Sequence, residues 1–280
     1  VVSLIFDAEG CTLVVLDWIH SRFRARDGIP LAYDNAVVAL AQAALSCRDT
    51  ELRRDLFHEL RELVAVSLDT SDERLQPAAE RLREIGSRRD VSPSAYACGQ
   101  GVQSPFMWRG QPVFKNVWDL AIYQQLLMEL RPRTLIELGS GTGGSALWLH
   151  DIAVLAAGSD ARVTSFDIRP PKLVEPGISY VAADLSDPAL GALHTMLSPD
   201  LPRPWLVSED AHVNTLGLLR FFDPLLAEGD YLIVEDSPVK QDMLRSFVDS
   251  CTGKYCVDTR YTDYFGINVT SAMNSILVRA

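Results

Sequence analysis

The stretch Thr134-Leu-Ile-Glu-Leu-Gly-Ser-Gly-Thr-Gly-Gly-Ser-Ala-Leu-Trp148 constrains this chain more than any other. It reads as a buried strand over 134–138, a glycine-rich turn over 139–144 and a helix from Ser145 to about Leu155. Glycines let the backbone turn tightly and let a ligand approach it closely. The helix that follows aims its free N–H groups at the same place, which favours a carboxylate, a ribose or a phosphate there.

Gly139, Gly141 and Gly144 satisfy the dinucleotide pattern G-x-G-x-x-G, a weak signal alone. Glu137 changes the weighting. Glu-x-Gly-x-Gly-x-Gly at the end of a first strand resembles motif I of class I methyltransferases, which bind S-adenosylmethionine. A carboxylate there can organise the loop and answer the positive charges of that cofactor, whereas it adds nothing beside a pyrophosphate. The loop residues Gly139, Ser140, Gly141, Gly144 and Ser145, with Glu137, are therefore the expected cofactor contacts. The next strand, 162–167, ends in Asp167, roughly twenty residues beyond Gly144, where an acid binds ribose hydroxyls. NAD and S-adenosylmethionine both carry that ribose. A third strand over 178–181 leads to Asp184, expected on the adenine side.

From Thr134 onward strands and helices alternate. Strands are expected at 134–138, 162–167, 178–181, 205–208, 230–235, 254–258 and 274–279, with helices at 144–156, 188–197, 213–226 and 238–250. This predicts an α/β fold: a doubly wound, Rossmann-like, mostly parallel sheet with helices on both faces. Ligands in such sheets bind at the carboxyl ends of the strands. The glycine loop, Asp167, Glu209 and Glu235-Asp236 all fall there.

Two of those ends are acidic. Trp205-Leu-Val-Ser-Glu-Asp-Ala-His212 closes one strand and Tyr231-Leu-Ile-Val-Glu-Asp236 the next. Carboxylates brought together raise each other's pKa unless a cation compensates, and oxygen donors favour Mg²⁺ or another hard divalent ion. Glu209, Glu235 and Asp236 are the expected metal ligands; capping of the following helices is the alternative use of these acids. His212, one turn beyond Glu209, is the expected general base, with Glu209 beside it in the catalytic set. Trp108, Trp118, Tyr123 and Tyr264 are candidates for stacking on an acceptor.

Upstream, residues 1–90 read as a helical arm, with apolar spacing over 35–45, 51–66 and 72–85. Such a face must be buried against something; a lid and a dimer contact are the options, and dimerisation through the arm is the expectation. Residues 91–116, rich in Ser, Pro, Gly, Gln and aromatics, read as a connecting segment that drapes over the pocket, and a helix over 118–130 leads into the catalytic domain of 117–280.

With 280 residues and 48% hydrophobic content, the chain can build one sizeable α/β domain and an appendage. Its net charge of −11 and lack of a basic stripe argue against nucleic acid. No run has the length of a membrane span. The odd, scattered set of five cysteines fits free thiols in a reducing cytoplasm.

Three segments together resemble the cephalosporin hydroxylase / rhamnosyl O-methyltransferase family: Phe114-Lys-Asn-Val-Trp-Asp-Leu-Ala-Ile-Tyr-Gln-Gln-Leu-Leu127 followed by the glycine loop, Gly229-Asp-Tyr-Leu-Ile-Val-Glu-Asp236, and the tail Phe265-Gly-Ile-Asn-Val-Thr270 with Asn274 and Arg279. The resemblance spans about 110–280. It implies a class I methyltransferase fold, S-adenosylmethionine as cofactor, a small-molecule acceptor (a sugar or natural-product scaffold) and, in some members, Mg²⁺ held by acids that fall at Glu209, Glu235 and Asp236 here. The family more often shows Asp-Ser-x-His where this chain has Glu209-Asp-Ala-His212. Methyl transfer to a hydroxyl is the leading expectation. A cofactor-binding protein that does other chemistry or serves a partner enzyme is the alternative, and an NAD-dependent oxidoreductase the more distant one.

Overall fold

A computed structural model of the chain describes residues 43–44, 47–58 and 74–280. The chain divides into two compact units, 1–72 and 73–280. In the first, the described residues include a helix over 50–58. Asp49 caps it, its Oδ1 accepting from the N–H groups of Glu51 and Leu52 at 2.9 Å. The rest of the expected arm, including most of 35–45 and 59–73, lies outside the described residues.

The second unit carries an eight-stranded sheet in the order β1-β9-β10-β8-β7-β4-β5-β6. The parallel half is β4 (Thr134–Leu138), β5 (Arg162–Asp167), β6 (Ile178–Ala182), β7 (Trp205–Glu209) and β8 (Tyr231–Val234). β9 (Tyr255–Asp258) and β10 (Ile276–Arg279) close it antiparallel to their neighbours. The strand order reverses at β4, which is flanked by β5 and β7, so the crevice at its carboxyl end is where a ligand belongs. β4, β7 and β8 are buried along their whole length, as expected of strands covered on both faces.

Two buried clusters fill those faces. On one side Phe166, Trp205, Val207, Leu218, Phe222, Leu244 and Phe247 pack beneath α6 (Thr215–Phe222) and α7 (Gln241–Ser250). On the other, Ile122, Tyr123, Trp148, Leu149, Leu206 and Ile233 pack beneath α3 (Val117–Leu130) and α4 (Gly144–Ala157). Leu206 and Val207 fall in different clusters because side chains alternate along a strand.

The structure departs from the expected helix over 72–85. Leu75–Pro77 is instead β1, an edge strand paired antiparallel with β9, and among the described residues of that stretch only Ala78–Glu84 is helical (α1). Pro77 supplies the reason: it biases the residue before it toward extended backbone, so the helix cannot begin earlier. Arg74 secures this edge through a 2.7 Å ion pair to the buried Asp258. Residues 74–90 thus fall in the same compact unit as the sheet.

The segment before α3 is also more ordered than a connector. It holds α2 (Pro93–Cys98) and a small ribbon of β2 (Phe106–Trp108) and β3 (Gln111–Val113). Asn116 caps α3, its side-chain oxygen accepting from the Trp118 N–H. Cys47, Cys98, Cys251 and Cys256 are free thiols. Among the described residues, no helix is long and apolar enough to cross a membrane.

Candidate functional site

A cavity of about 480 Å³ opens at the carboxyl ends of β4, β5, β7 and β8. Gly139–Thr142 and Ser145 form one wall, Asp167 and Ile168 a second, Ala183–Ser186 a third. Asp210–Val213 and Asp236 lie opposite, and Gln100, Pro112, Phe114 and Lys115 reach in from the segment around β3. Of the residues expected from sequence, Gly139, Ser140, Gly141, Ser145, Asp167, Asp184, His212 and Asp236 line it. Glu137, Gly144, Glu209 and Glu235 stand behind the surface.

The glycine loop owes its shape to close approach. Gly139 has φ +105, and a Cβ there would lie 2.7 Å from the backbone oxygen of Asp210. Gly144 meets the ribbon: a Cβ would fall 2.2 Å from the Pro112 oxygen. Thr142 Oγ1 donates to that same oxygen at 2.8 Å, so β3 is fastened across the start of α4.

Glu137 braces this loop from beneath. It is buried and accepts from the Ser165 hydroxyl, which lies 2.6 Å from the Ser140 hydroxyl. Burial pushes the Glu137 carboxyl above its ordinary pKa, against the opposing pull of Lys115 and of hydrogen bonds from Ser145 and Ser165. Asp167 Oδ2 accepts from the Gly141 N–H at 3.0 Å and Oδ1 from the Arg169 N–H at 2.8 Å, which fixes the carboxylate at the rim. Asp184 is exposed, and its Oδ1 accepts from the backbone and hydroxyl of Ser186, which lowers its pKa.

The acidic strand ends, expected as a ligand set, make protein contacts on two faces of the sheet. Ser208 and Glu209 leave β7 on opposite faces, as successive residues must. On one face Ser208, Tyr123 and Lys115 surround Glu235: its Oε1 accepts at 2.7, 2.6 and 2.5 Å respectively. On the other face Lys240 donates to Glu209 Oε2 at 2.8 Å, while Glu209 Oε1 is buried without a partner. Glu209 and Glu235 thus each pair with a buried lysine.

The donors that do converge lie at the strand ends or just past them: Asp210, His212 and Asp236, with one ligand atom of each within 4.8 Å of the others. His212 Nε2 is 3.5 Å from Asp210 Oδ1 and 3.5 Å from Asp236 Oδ2. These separations are long for hydrogen bonds; the two carboxylates suit a shared divalent ion, with the imidazole beside it. His212 and Asp236 both hold left-handed backbone, φ +59 and +46, a conformation that persists only where the surroundings impose it. Lys115 Nζ stands 3.6 Å from Asp210 Oδ2. Burial first, then the charge of Glu235, push the Asp210 carboxyl well above its usual pKa. The two carboxylates are of the type that fits a hard divalent cation, and of them Asp236 is in the expected set while Asp210 is not. Asp210 could have been found from strand alternation, since it follows Glu209 and so returns to the face that Glu209 leaves.

None of the expected stacking aromatics lines the cavity. Trp108 Nε1 donates to Asp151, Trp118 stacks on Tyr96, Tyr123 is buried against Glu235, and Tyr264 packs edge-on against Phe265. The aromatic at the mouth is Phe114, exposed over two-thirds of its surface (66%) and carried by a segment quoted above for its sequence pattern alone.

Comparison with known proteins places this geometry. The family model for Rhamnosyl O-methyltransferase/CmcI matches residues 100–186, from the cavity segment through the glycine loop to the end of the third cavity wall. The rhamnosyl O-methyltransferase of Mycobacterium leprae is 29% identical over 200 residues, covering 65% of this chain and 86% of that protein. Its counterpart in Mycobacterium tuberculosis is 29% identical over 201 residues, covering 65% and 81%. A CmcI structure described as Mg-SAM superposes with a TM-score of 0.54 at 28% identity over 69% of this chain and 86% of that one. A CmcI structure described as SAH gives 0.52 at 26% identity, over 69% and 94%. Family model, curated relatives and solved structures agree in what the chain is similar to: S-adenosylmethionine-dependent methyltransferases of the Rhamnosyl O-methyltransferase/CmcI type.

Proposed function

We propose that this protein transfers a methyl group from S-adenosylmethionine to a hydroxyl oxygen of a small acceptor, a sugar or natural-product scaffold, with a divalent cation beside the reacting oxygen. The observation that carries the reading is that one cavity joins the glycine loop and Asp167 to the Asp210–His212–Asp236 cluster. Names of relatives add support: those proteins act as rhamnosyl O-methyltransferases, and CmcI has been solved with Mg-SAM and with SAH.

In this reading the loop 139–145 seats the amino-acid end of the cofactor with backbone N–H groups, and Glu137 keeps the loop in place from beneath. Asp167 accepts hydrogen bonds from the ribose hydroxyls, and Ile168 and Ala183–Ser186 flank the base. Asp210 and Asp236 would hold the cation, which would supply Lewis acidity that favours loss of the acceptor's hydroxyl proton. His212 takes the acceptor proton at Nε2 as the carbon–oxygen bond forms and the carbon–sulfur bond breaks. Proton transfer of this kind is worth about 100- to 10,000-fold. Phe114 and Val213, at the mouth beside His212, offer the acceptor an apolar surface.

Calorimetric titration with S-adenosylhomocysteine and, separately, NAD tests the cofactor assignment. Methyl transfer from isotopically labelled S-adenosylmethionine to a panel of rhamnosyl glycosides and other hydroxylated ring compounds tests the reaction. Binding of the first nucleotide alone, with label found on an acceptor oxygen, is the expected result. Binding of NAD with none of S-adenosylhomocysteine overturns the reading; binding of S-adenosylhomocysteine with no transfer to any acceptor leaves a cofactor-binding partner protein as the better account.

A further inference from the structure

Lys115 is unusual in its position. It is 4% exposed, yet it lines the cavity and is a charged group. Its Nζ lies 2.5 Å from Glu235 Oε1 and 3.6 Å from Asp210 Oδ2. The same Asp210 belongs to the convergent cluster with His212 and Asp236. The lysine therefore stands between the buried carboxylate of Glu235 and the open donors of the cluster, inside the charge field that a divalent ion would feel.

We infer that Lys115 is a resident counter-cation of this site, sharing the acids with the divalent ion and setting how tightly that ion is held. Glu235, Asp210 and Asp236, when ionised, carry three negative charges between them. Lys115 offsets one of them and leaves a deficit that a single divalent ion fills. Glu209 does not enter the sum because Lys240 pairs with it on the other face of the sheet. The inference rests on reading the cluster as a cation site, and it explains why a buried lysine is tolerated at the wall of a cofactor cavity: it keeps the acids together when the ion is absent and limits affinity when the ion is present.

The test uses Mn²⁺ alone as the probe, with binding followed by electron paramagnetic resonance and competition by Mg²⁺, in the full-length chain. Affinity should follow the charge left on the site. Lys115→Met should bind Mn²⁺ more tightly by roughly 10- to 100-fold, the scale of removing one like charge about 4–6 Å from a divalent ion at a near-water dielectric. Its melting temperature should rise on adding Mn²⁺ by more than that of the wild type. Glu235→Gln should bind more weakly. The double variant Lys115→Met/Glu235→Gln restores the wild-type charge, removes the unpaired buried group and should return the wild-type affinity; it also keeps the test open if Lys115→Met alone does not fold. Lys115→Arg should stay near wild type. Unchanged or weaker Mn²⁺ binding in Lys115→Met, or a double variant that binds Mn²⁺ no more tightly than Glu235→Gln, would show that the lysine is only a structural partner of Glu235 and overturn the inference. S-adenosylhomocysteine titrated into the same samples separates this failure from failure of the cofactor assignment.

Discussion

Lys115 and Glu235 form a buried ion pair at 2.5 Å, and the carboxylate also accepts from Tyr123 and Ser208. Burial alone would raise the pKa of Glu235. The charge and hydrogen bond of Lys115, helped by the two hydroxyls, outweigh it and hold the carboxyl below its ordinary value. A depressed carboxyl pKa contributes stability that is present above the unfolded-state value and is lost as pH falls through the folded-state value. Glu235→Gln leaves the buried ammonium with only the longer pair to Asp210 at 3.6 Å and should cost about 3–5 kcal/mol at neutral pH. The gap to the wild type should narrow as pH drops below the ordinary glutamate range of about 4.3, because the wild type then protonates the same group. Urea denaturation of both proteins at stepped pH checks this; a gap that stays constant down to the acid limit of folding contradicts the assigned pairing.

The joint between the glycine loop and the β2–β3 ribbon gives a second expectation. At Gly144 the space for a methyl group is taken by the Pro112 backbone oxygen, which also receives the Thr142 hydroxyl. Gly144→Ala must move backbone rather than a flexible side-chain end. Overpacking of this kind costs about 1–3 kcal/mol. The displaced segment carries Pro112, Phe114 and Lys115 into the cavity, so S-adenosylhomocysteine affinity should fall together with the melting temperature. Gly191→Ala, where nothing lies within 4 Å of the added carbon, serves as the control.

Asp167 offers a cleaner reading of cofactor binding. Its oxygens are fixed by the N–H groups of Gly141 and Arg169 at the rim of the cavity. Hydrogen bonds to a charged group are worth about 1.5–3 kcal/mol. Asp167→Ala should therefore weaken S-adenosylhomocysteine binding by roughly 10- to 100-fold, with little change in Mn²⁺ affinity. An unaltered nucleotide affinity in calorimetry would move the ribose away from β5.

The parallel sheet was legible because β4, β5 and β7 are apolar runs bounded by glycine, acid and proline signals, and the ligand position followed from where those runs end. β1 was not legible: Leu75–Pro77 is a short edge strand whose apolar spacing continues into α1, so periodicity read both as one helix. The cavity wall made by the glycine loop and Asp167 was legible from local spacing, since both lie within one strand–turn–helix unit and its neighbour. The acidic half depends on which face each side chain leaves. Sequence placed Glu209 and Glu235 at the same end of the sheet, but not that Lys240 and Lys115 would draw them to opposite sides. Those lysines lie 31 and 120 residues from their partners, a separation that no local pattern reports.

His212 carries the last prediction. Its Nε2 sits 3.5 Å from a carboxylate oxygen of Asp210 and 3.5 Å from one of Asp236, on a backbone held at φ +59. A group that only packs the turn would lose stability when replaced. A general base loses turnover instead, by about 100- to 10,000-fold. His212→Gln keeps the size and a hydrogen-bonding tip but cannot take up the proton. With a labelled cofactor and any acceptor found in the panel, kcat should fall by that factor while S-adenosylhomocysteine affinity and melting temperature stay near wild type. Added imidazole should restore part of the rate in His212→Gly, the space once filled by the side chain admitting a free base. If kcat is retained in His212→Gln while the acceptor KM rises, the imidazole orients the acceptor and the proton leaves by another route.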